Sequence, residues 1–574
     1  MILQALKAYY DRKASDPDSG IAPLGWERKE IPYLFVLDRA GNLVNIEDTQ
    51  EIVGKKPRAK TFLVPQAVKR TVGIEPYFLW DNVEYVTGIL CKENGKPERV
   101  AQQHAAFLER LHPYRDLPPV HAVLTFLSAP NLAETLANFP AWQKAKEGCA
   151  FMAFRFVDAS GLIFEEDCIR TVVNQMASAS ATPTIIDLVT GERGALAKLH
   201  PAIKGIVGAN TTGANIVTFN LPAFSSFGKE QGANAPVSVT SAFAYTTALN
   251  TLLGKDSRQK LVIGDATTVF WSEQSDALED TLLTWLDDPP KDNPDALVES
   301  VQALLTSPQT GVGAFSEDTT RFYVLGLAPN AARIAIRFWQ VGTVAEMAGR
   351  FREYFTDLQI CHGPKEKEHL PLKWLLVSTA AQGKFDNITP NLAGDVMRSI
   401  LSGLPFPKTL LNALLQRIKA DHAISYPRAK LLKGFLNRQW RFANPNHERN
   451  ITVSLDPENT AIGYRLGRLF AVLERIQKDA TPGNLNATIK DRFYAAASAT
   501  PVTVFGNLIR LAQHHLAKLR KEKPGLGVVY EKAMQEILAE VQAFPAHLSL
   551  EHQGLFALGY YHQRQDFFTK KDAE

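Results

Sequence analysis

At 574 residues, with 45% hydrophobic and 21% charged side chains, the chain has room for roughly two to four globular domains and lies far from disordered or fibrous compositions. A net charge of +3 excludes a uniformly basic coat, so any polyanion has to be met by local patches. No apolar run approaches the length of a membrane span, and the four scattered cysteines, Cys91, Cys149, Cys168 and Cys361, form no C-x-x-C pair, which argues against a zinc site and a disulfide scaffold.

The chain opens on MILQALKAYYDRK, an amphipathic helix without a signal-peptide core, so a cytoplasmic location is expected. Over 1–150, strand-like runs such as PYLFVLDRAGNLVNI alternate with helical segments such as AQQHAAFLERLHP, predicting a mixed α/β region. Over 151–365 strand signals strengthen in CAFMAFRFVDASG, NIVTFNL, LVIGDATTVFW and RFYVLGLAPNAARIAIRFW, interrupted by a Pro- and Asp-rich insertion around 277–313. A basic helical segment, 366–451, and a bundle, 452–574, complete the division; NTAIGYRLGRLFAVLERIQKDA, VTVFGNLIRLAQHHLAKLRKE and HQGLFALGYYHQRQDFF have helical periodicity and short Pro/Gly separators. The predicted class is α+β, with antiparallel sheet elements first and an all-α bundle last.

Catalytic motifs fail one by one. Gly208 and Gly213 have P-loop spacing, but Ala214 stands where the phosphate-reaching lysine is needed. His447-Glu448 starts an H-E-x-x-H that Ile451 leaves without its second imidazole. His514-His515 point about 100° apart on a helix, Cys361-His362 with His369 lacks a fourth ligand, and Glu165-Glu166 would face opposite sides of a strand. A binding protein is expected rather than an enzyme, with no metal and no cofactor.

Charge, by contrast, is regional. Residues 55–70 hold six Lys or Arg and no acid: Lys55, Lys56, Arg58, Lys60, Lys69 and Arg70. Residues 408–450 hold nine against two acids, among them Arg428, Lys430, Lys433, Arg438 and Arg441, interleaved with Phe435, Trp440 and Phe442. Such patches suit a phosphate backbone or, equally, a solvated helix face. Arg333 and Arg337 read as structural ion-pair partners. Between the two basic patches in sequence lies FSSFGKEQGANAP, preceded by GIVGANTTGANIVTFNLP. Glycines let backbone approach a ligand, and Asn, Gln and Ser both donate and accept hydrogen bonds, as base edges require. Tight turns require the same residues, so both readings stand.

FSSFGKEQGANAPVS, FAYTTALNTLL, VIGDATTVFW and FYVLGLAPNAARIAIRFW, in that order, resemble the large subunit of the type I-C CRISPR surveillance complex, the Csd-type family; MILQALKAYYD and LVPQAVKRTVGIEPYFLWDNVEYVTG resemble its N-terminal pattern. The resemblance implies a non-catalytic subunit of a guide RNA-containing complex with backbone and end-cap subunits. Such a subunit recognises a short motif flanking the target in double-stranded DNA, helps to unwind it, stabilises the displaced strand and docks a separate helicase-nuclease. On that reading Asn82, Asn210, Asn215, Ser226, Lys229, Gln231 and Asn234 contact the flanking motif. Lys55, Lys56, Arg58, Lys60, Lys69 and Arg70 bind phosphates, and Arg428, Lys430, Lys433 and Arg438 meet the displaced strand. The family also implies a small subunit made by internal translation; with only Met534 after Met397, it would start near Met397 or at a non-AUG codon such as that of Val453. The competing classes are a metal-dependent nuclease with a scattered carboxylate site and a scaffold binding an acidic protein.

Overall fold

The computed structural model describes residues 1–53, 56–68, 70, 73–92, 94–178, 183–263, 266–288, 293, 295–310, 319–331, 333–444, 450–481, 483 and 487–568. Lys55, Lys69, His447 and Glu448 lie outside them, as does the side chain of Lys56. The fold is α+β and divides into two compact units, Met1–Ile203 with Asn215–Thr251, and Lys204–Ala214 with Leu252–Glu574.

In the first unit the strands are β1 (Trp26–Glu30), β2 (Tyr33–Leu37), β3 (Leu43–Asp48), β4 (Gln50–Val53), β5 (Lys56–Ala59), β6 (Thr61–Pro65), β7 (Asp81–Asn82), β8 (Phe151–Phe156), β9 (Thr184–Ile186) and β10 (Arg193–Ala195). YLFVL of β2 is buried at every position, as its unbroken aromatic and β-branched run predicts for a strand covered on both faces. It lies between β3, antiparallel, and β8, parallel, and β7 closes the order β3-β2-β8-β7. A parallel neighbour demands a long crossover, which the helices between β7 and β8 supply. Among these, Pro97–Leu111 starts on a helix-compatible proline and buries Val100, Gln103, Phe107 and Leu111, one face at helical spacing. Phe35 of β2 meets Phe126 at 5.2 Å and Phe154 at 5.6 Å between ring centroids, the centre of this core. The boundary expected at 150 thus falls just before a strand that belongs to the N-terminal sheet. Three antiparallel pairs, β1–β6, β4–β5 and β9–β10, complete the unit.

The second unit contains a four-stranded antiparallel meander of β11 (Lys260–Ile263), β12 (Ala266–Ser272), β13 (Arg321–Asn330) and β14 (Arg333–Thr343). Two of the long sequence runs therefore fold as hairpins. NIVTFNL, expected as a strand, does not form one; at its start the Asn215 side-chain amide donates to the carbonyls of His200 and Pro201. After β14 comes a capping box, in which Thr343 Oγ1 accepts from Glu346 N at 3.1 Å and Glu346 accepts from Thr343 N at 3.0 Å. It starts the helix Val344–Leu358, whose Phe351, Tyr354 and Phe355 join Phe270, Trp285 and Phe322 in one core.

That core continues into the helices Leu392–Ser402, Lys408–Asp421, Tyr426–Ala443, Ile462–Ala480, Ile489–Ala499, Phe505–Glu522, Pro524–Ala539 and Leu550–Asp566. Ile462–Ala480 and Leu550–Asp566 touch backbone to backbone. A Cβ at Gly467 would lie 2.0 Å from Phe556 O, and one at Gly559 would lie 2.0 Å from Tyr464 O, so each crossing point takes glycine alone. No helix among the described residues is long and apolar enough to cross a membrane.

Candidate nucleic-acid interface

The Gly/Asn-rich loop is an ordered device on a buried base. At its exit, Asp187 is buried and accepts from Ser238 at 2.8 Å, Thr190 at 3.1 Å, Ser241 and the amide of Val189. Burial opposes the ionised carboxyl, but the Ser241 hydroxyl, the Val189 amide and the Ser238 hydroxyl outweigh it and hold Asp187 below the usual carboxylate range. Ser238 also accepts from Ser241 N at 3.1 Å, fixing the start of the helix Val239–Leu252. Gly232 N donates to Lys198 O, and Ala197 N donates to Val237 O, so the C-terminal side of the loop is tied to residues 197–198.

From this base the tip projects. Asn234 shapes it, accepting from Ser226 N at 2.9 Å and donating to Lys229 O at 3.1 Å and Gln231 O at 3.0 Å. Lys229 N closes a turn on Ser226 O at 3.0 Å, and its two central residues, Phe227 and Gly228, have φ of +52° and +68°. Glycine accepts that backbone freely; phenylalanine does so only because the turn is determined from both sides. Phe227 is 97% exposed, and Ser226, Lys229 and Gln231 are exposed with it. Ser226, Lys229, Gln231 and Asn234 therefore come together, with Asn234 spending its amide on the loop rather than offering it outward.

The remaining amides separate from this group. Asn82 is the N-cap of the helix Val83–Thr87, its side-chain oxygen accepting from Tyr85 N at 3.1 Å, so that oxygen serves local structure. Asn215 is buried with its NH2 engaged as described, so its assignment to the flanking motif is corrected. Asn210 is exposed but belongs to the other unit.

Of the first basic segment, Lys60 is exposed, with its amine 5.5 Å from the Phe62 ring, and Arg58 stands 3.6 Å from Glu30. Arg70 is a structural pin. Its guanidinium pairs with fully buried Asp81, donates to Glu75 O at 2.6 Å and stacks between Tyr77 at 3.8 Å and Tyr85 at 4.0 Å. Its Nε and Nη2 are thus committed to the fold, which makes it a structural residue first rather than the phosphate contact expected of it.

The second basic patch is overturned as a surface. Every residue from Arg428 to Arg438 on the helix Tyr426–Ala443 is buried. Arg428 donates to Ser378 O and Ala423 O, both at 2.9 Å, and pairs with Asp421. Lys430, 2% exposed, donates to Glu368 O at 2.8 Å, and Lys433 reaches Asp357 O at 3.3 Å. Arg438 pairs with buried Asp357 at 3.0 Å and donates to Ser399 O and Leu404 O. Desolvation pushes Lys430 down to about 7 and Lys433 down to about 8. These cations tie loops to a central helix and present no charge to a displaced strand.

Two features escaped a motif search. Phe227, an aromatic set inside a polar glycine-rich run, is visible in sequence only as that mismatch. Cys91 and Cys149, 58 positions apart by number, approach each other and Glu84, so that one ligand atom from each lies within 4.8 Å of the others. No local spacing rule could have paired them.

The sequence was then compared with known families. The model of the CRISPR-associated protein (Cas_Csd1) family matches residues 6–568. No individual curated protein matches the chain significantly. Since that match runs through both compact units, from the first helix to the end of the last, the chain belongs to the CRISPR-associated Csd1 family.

Proposed function

We propose that this chain is the non-catalytic large subunit of a type I-C RNA-guided surveillance complex, and that the turn Ser226–Lys229 enters the DNA flanking the target. One observation carries the reading: an almost fully exposed Phe227 stands beside exposed Lys229 on a turn prefixed by Asn234. Single exposed aromatics are common on protein surfaces; this one differs in standing at the tip of a turn whose backbone is fixed before any partner arrives. Apolar wedges between base steps unstack a duplex, and a neighbouring lysine neutralises the phosphate brought close by the kink. Ser226 and Gln231 add exposed donors and acceptors for groove edges. Lys60, with Lys55, Lys56 and Arg58, supplies backbone contacts, while guide pairing reads the target sequence. The docked helicase-nuclease supplies the cleavage, and the chain itself breaks no bond.

The bundle fits a second product of the same gene. A polypeptide starting at Val453 carries the helices from Ile462–Ala480 to Leu550–Asp566. Starting there frees the face on which Gly554 meets Leu411, Leu432 and Leu436, a surface that a neighbouring subunit would cover. Intact-mass measurement of the purified complex should find a fragment close to residues 453–574.

The test of the main reading assembles the complex with wild-type, Phe227→Ala and Lys229→Ala chains. Binding to duplexes with and without the flanking motif is then measured at two salt concentrations. Phe227→Ala should slow strand opening, and Lys229→Ala should weaken binding and lower the salt slope. Unchanged affinity, opening and motif preference in both variants would remove the loop from the interface.

A further inference from the structure

The helix Val83–Thr87 is held to the strand edge by Val83 N donating to Ala150 O at 3.0 Å, which carries Glu84 toward Cys149, one residue before Ala150. After the left-handed cap at Gly88, with φ of +71°, the chain turns back and brings in Cys91, whose amide donates to Glu84 Oε1 at 3.3 Å. Cys149 sits at φ +42° behind the helix Pro140–Glu147, its amide bound to Lys146 O at 3.0 Å. A non-glycine residue in that region is strained and persists where its surroundings fix it. Three separate turns thus converge two sulfurs and a carboxylate, mutually within 4.8 Å, and all three residues are half-buried.

We propose that Glu84, Cys91 and Cys149 form a zinc site with its fourth position open to water. With Zn–S of about 2.3 Å and Zn–O of about 2.0–2.2 Å, tetrahedral ligand atoms lie about 3.4–3.8 Å apart, a spacing compatible with this cluster. Thiolates disfavour calcium and magnesium, and the carboxylate disfavours copper(I), so the donor set selects zinc. Binding would release two thiol protons to solvent and compensate three converging anionic groups with one dication. A disulfide between the same sulfurs is the rival outcome. It would leave the Glu84 carboxylate facing an uncharged bond. Bound zinc would fasten the turn after Thr87 to the start of β8, and it stands independently of the DNA-binding proposal.

The test uses the full-length chain, reduced and stripped with a chelator, with cobalt(II) as probe. Cys168→Ser and Cys361→Ser together leave Cys91 and Cys149 as the remaining thiols. This chain should bind one cobalt with a thiolate charge-transfer absorption that one equivalent of zinc abolishes. Cys91→Ser should abolish that absorption, and Glu84→Gln should keep it while weakening affinity tenfold or more. Should the double replacement not fold, the two single variants in the otherwise wild-type chain give the same readout. The proposal is overturned by a folded chain that shows no such absorption, by an absorption insensitive to Cys91→Ser, or by a Cys91–Cys149 disulfide in protein alkylated before lysis.

Discussion

At the turn Ser226–Lys229 the backbone groups are satisfied locally, and Phe227 and Lys229 are left to solvent. Along Tyr426–Ala443 the side chains are the satisfiers, with Arg428, Lys430, Lys433 and Arg438 turned inward onto carbonyls and Asp357. Both stretches look like polyanion contacts when read as composition. The difference lies in what surrounds the polar residues. In YPRAKLLKGFLNR, apolar side chains at 429, 431, 432, 435 and 436 cover too much of the helix for any face to remain wet, so cations among them have to be buried and paired. In SSFGKEQGAN no apolar periodicity demands burial, so the lone aromatic faces outward.

The sharpest way to break this contrast is Arg438→Ala. Arg438 and Asp357 are both nearly inaccessible, and removing one partner of a buried pair costs about 3–5 kcal/mol. The lower end is expected, because Arg441 still holds Asp357 at 2.7 Å. Urea denaturation of the full chain should show this loss, while the salt slope of DNA binding per folded molecule stays as in the wild type. A changed slope with unchanged stability would mean that the helix is uncovered in the working assembly.

Phe227→Ala should behave in the opposite way. Losing an aromatic contact to bases costs about 1–3 kcal/mol, roughly fivefold to 160-fold in affinity, whereas an exposed side chain contributes within about 0.5 kcal/mol to stability. Equal melting curves with weakened duplex binding sharpen the comparison; a lowered melting temperature would place Phe227 in a packing role.

Within the N-terminal basic run the same division recurs on a smaller scale. Lys60→Ala should reduce the slope of log affinity against log salt by about 0.9, the share of one phosphate. Arg70→Ala should instead destabilise the fold, since it strands buried Asp81, whose carboxyl burial already pushes above its usual range against the pull of Arg70. Equal salt slopes for Lys60→Ala and the wild type would exclude this run from the phosphate path.

How much of this was legible follows the range of the interaction. YLFVL, LVIGDATTVFW and RFYVLGLAPNAARIAIRFW announce their strands, and the bundle helices announce themselves, because local period and turn chemistry suffice. The side-chain tether of Asn215, the inward cations and the Glu84–Cys91–Cys149 convergence depend on partners as far as 81 residues away. Local patterns specify such residues as polar without specifying what they face. Phe227 lies between these cases: its neighbours predict a turn, and only the turn's fixing by Asn234 and by Gly232 and Val237 behind it leaves the ring facing outward.

The effect of Lys430 is the most specific to burial. Lys430 donates to Glu368 O at 2.8 Å and lies 4.7 Å from the Tyr426 ring, and desolvation outweighs the attraction of Glu368 to bring it to about 7. In the unfolded chain a lysine titrates near about 10.4. Between these values the unfolded state binds more protons, so this residue makes stability rise with pH across the window and withdraws that contribution as pH falls toward 7. Lys430→Met removes the titration while Tyr426 still donates to Glu368 O at 2.9 Å, so no buried acceptor is orphaned. The variant should therefore hold its largest advantage over wild type near pH 7 and lose it steadily toward pH 10 in melts run side by side; part of that advantage is relief of the repulsion that Lys433 exerts on Lys430. Parallel stability curves would mean that Lys430 is solvated, and the contrast between an inward-facing helix and an outward-facing loop would then lose its clearest member.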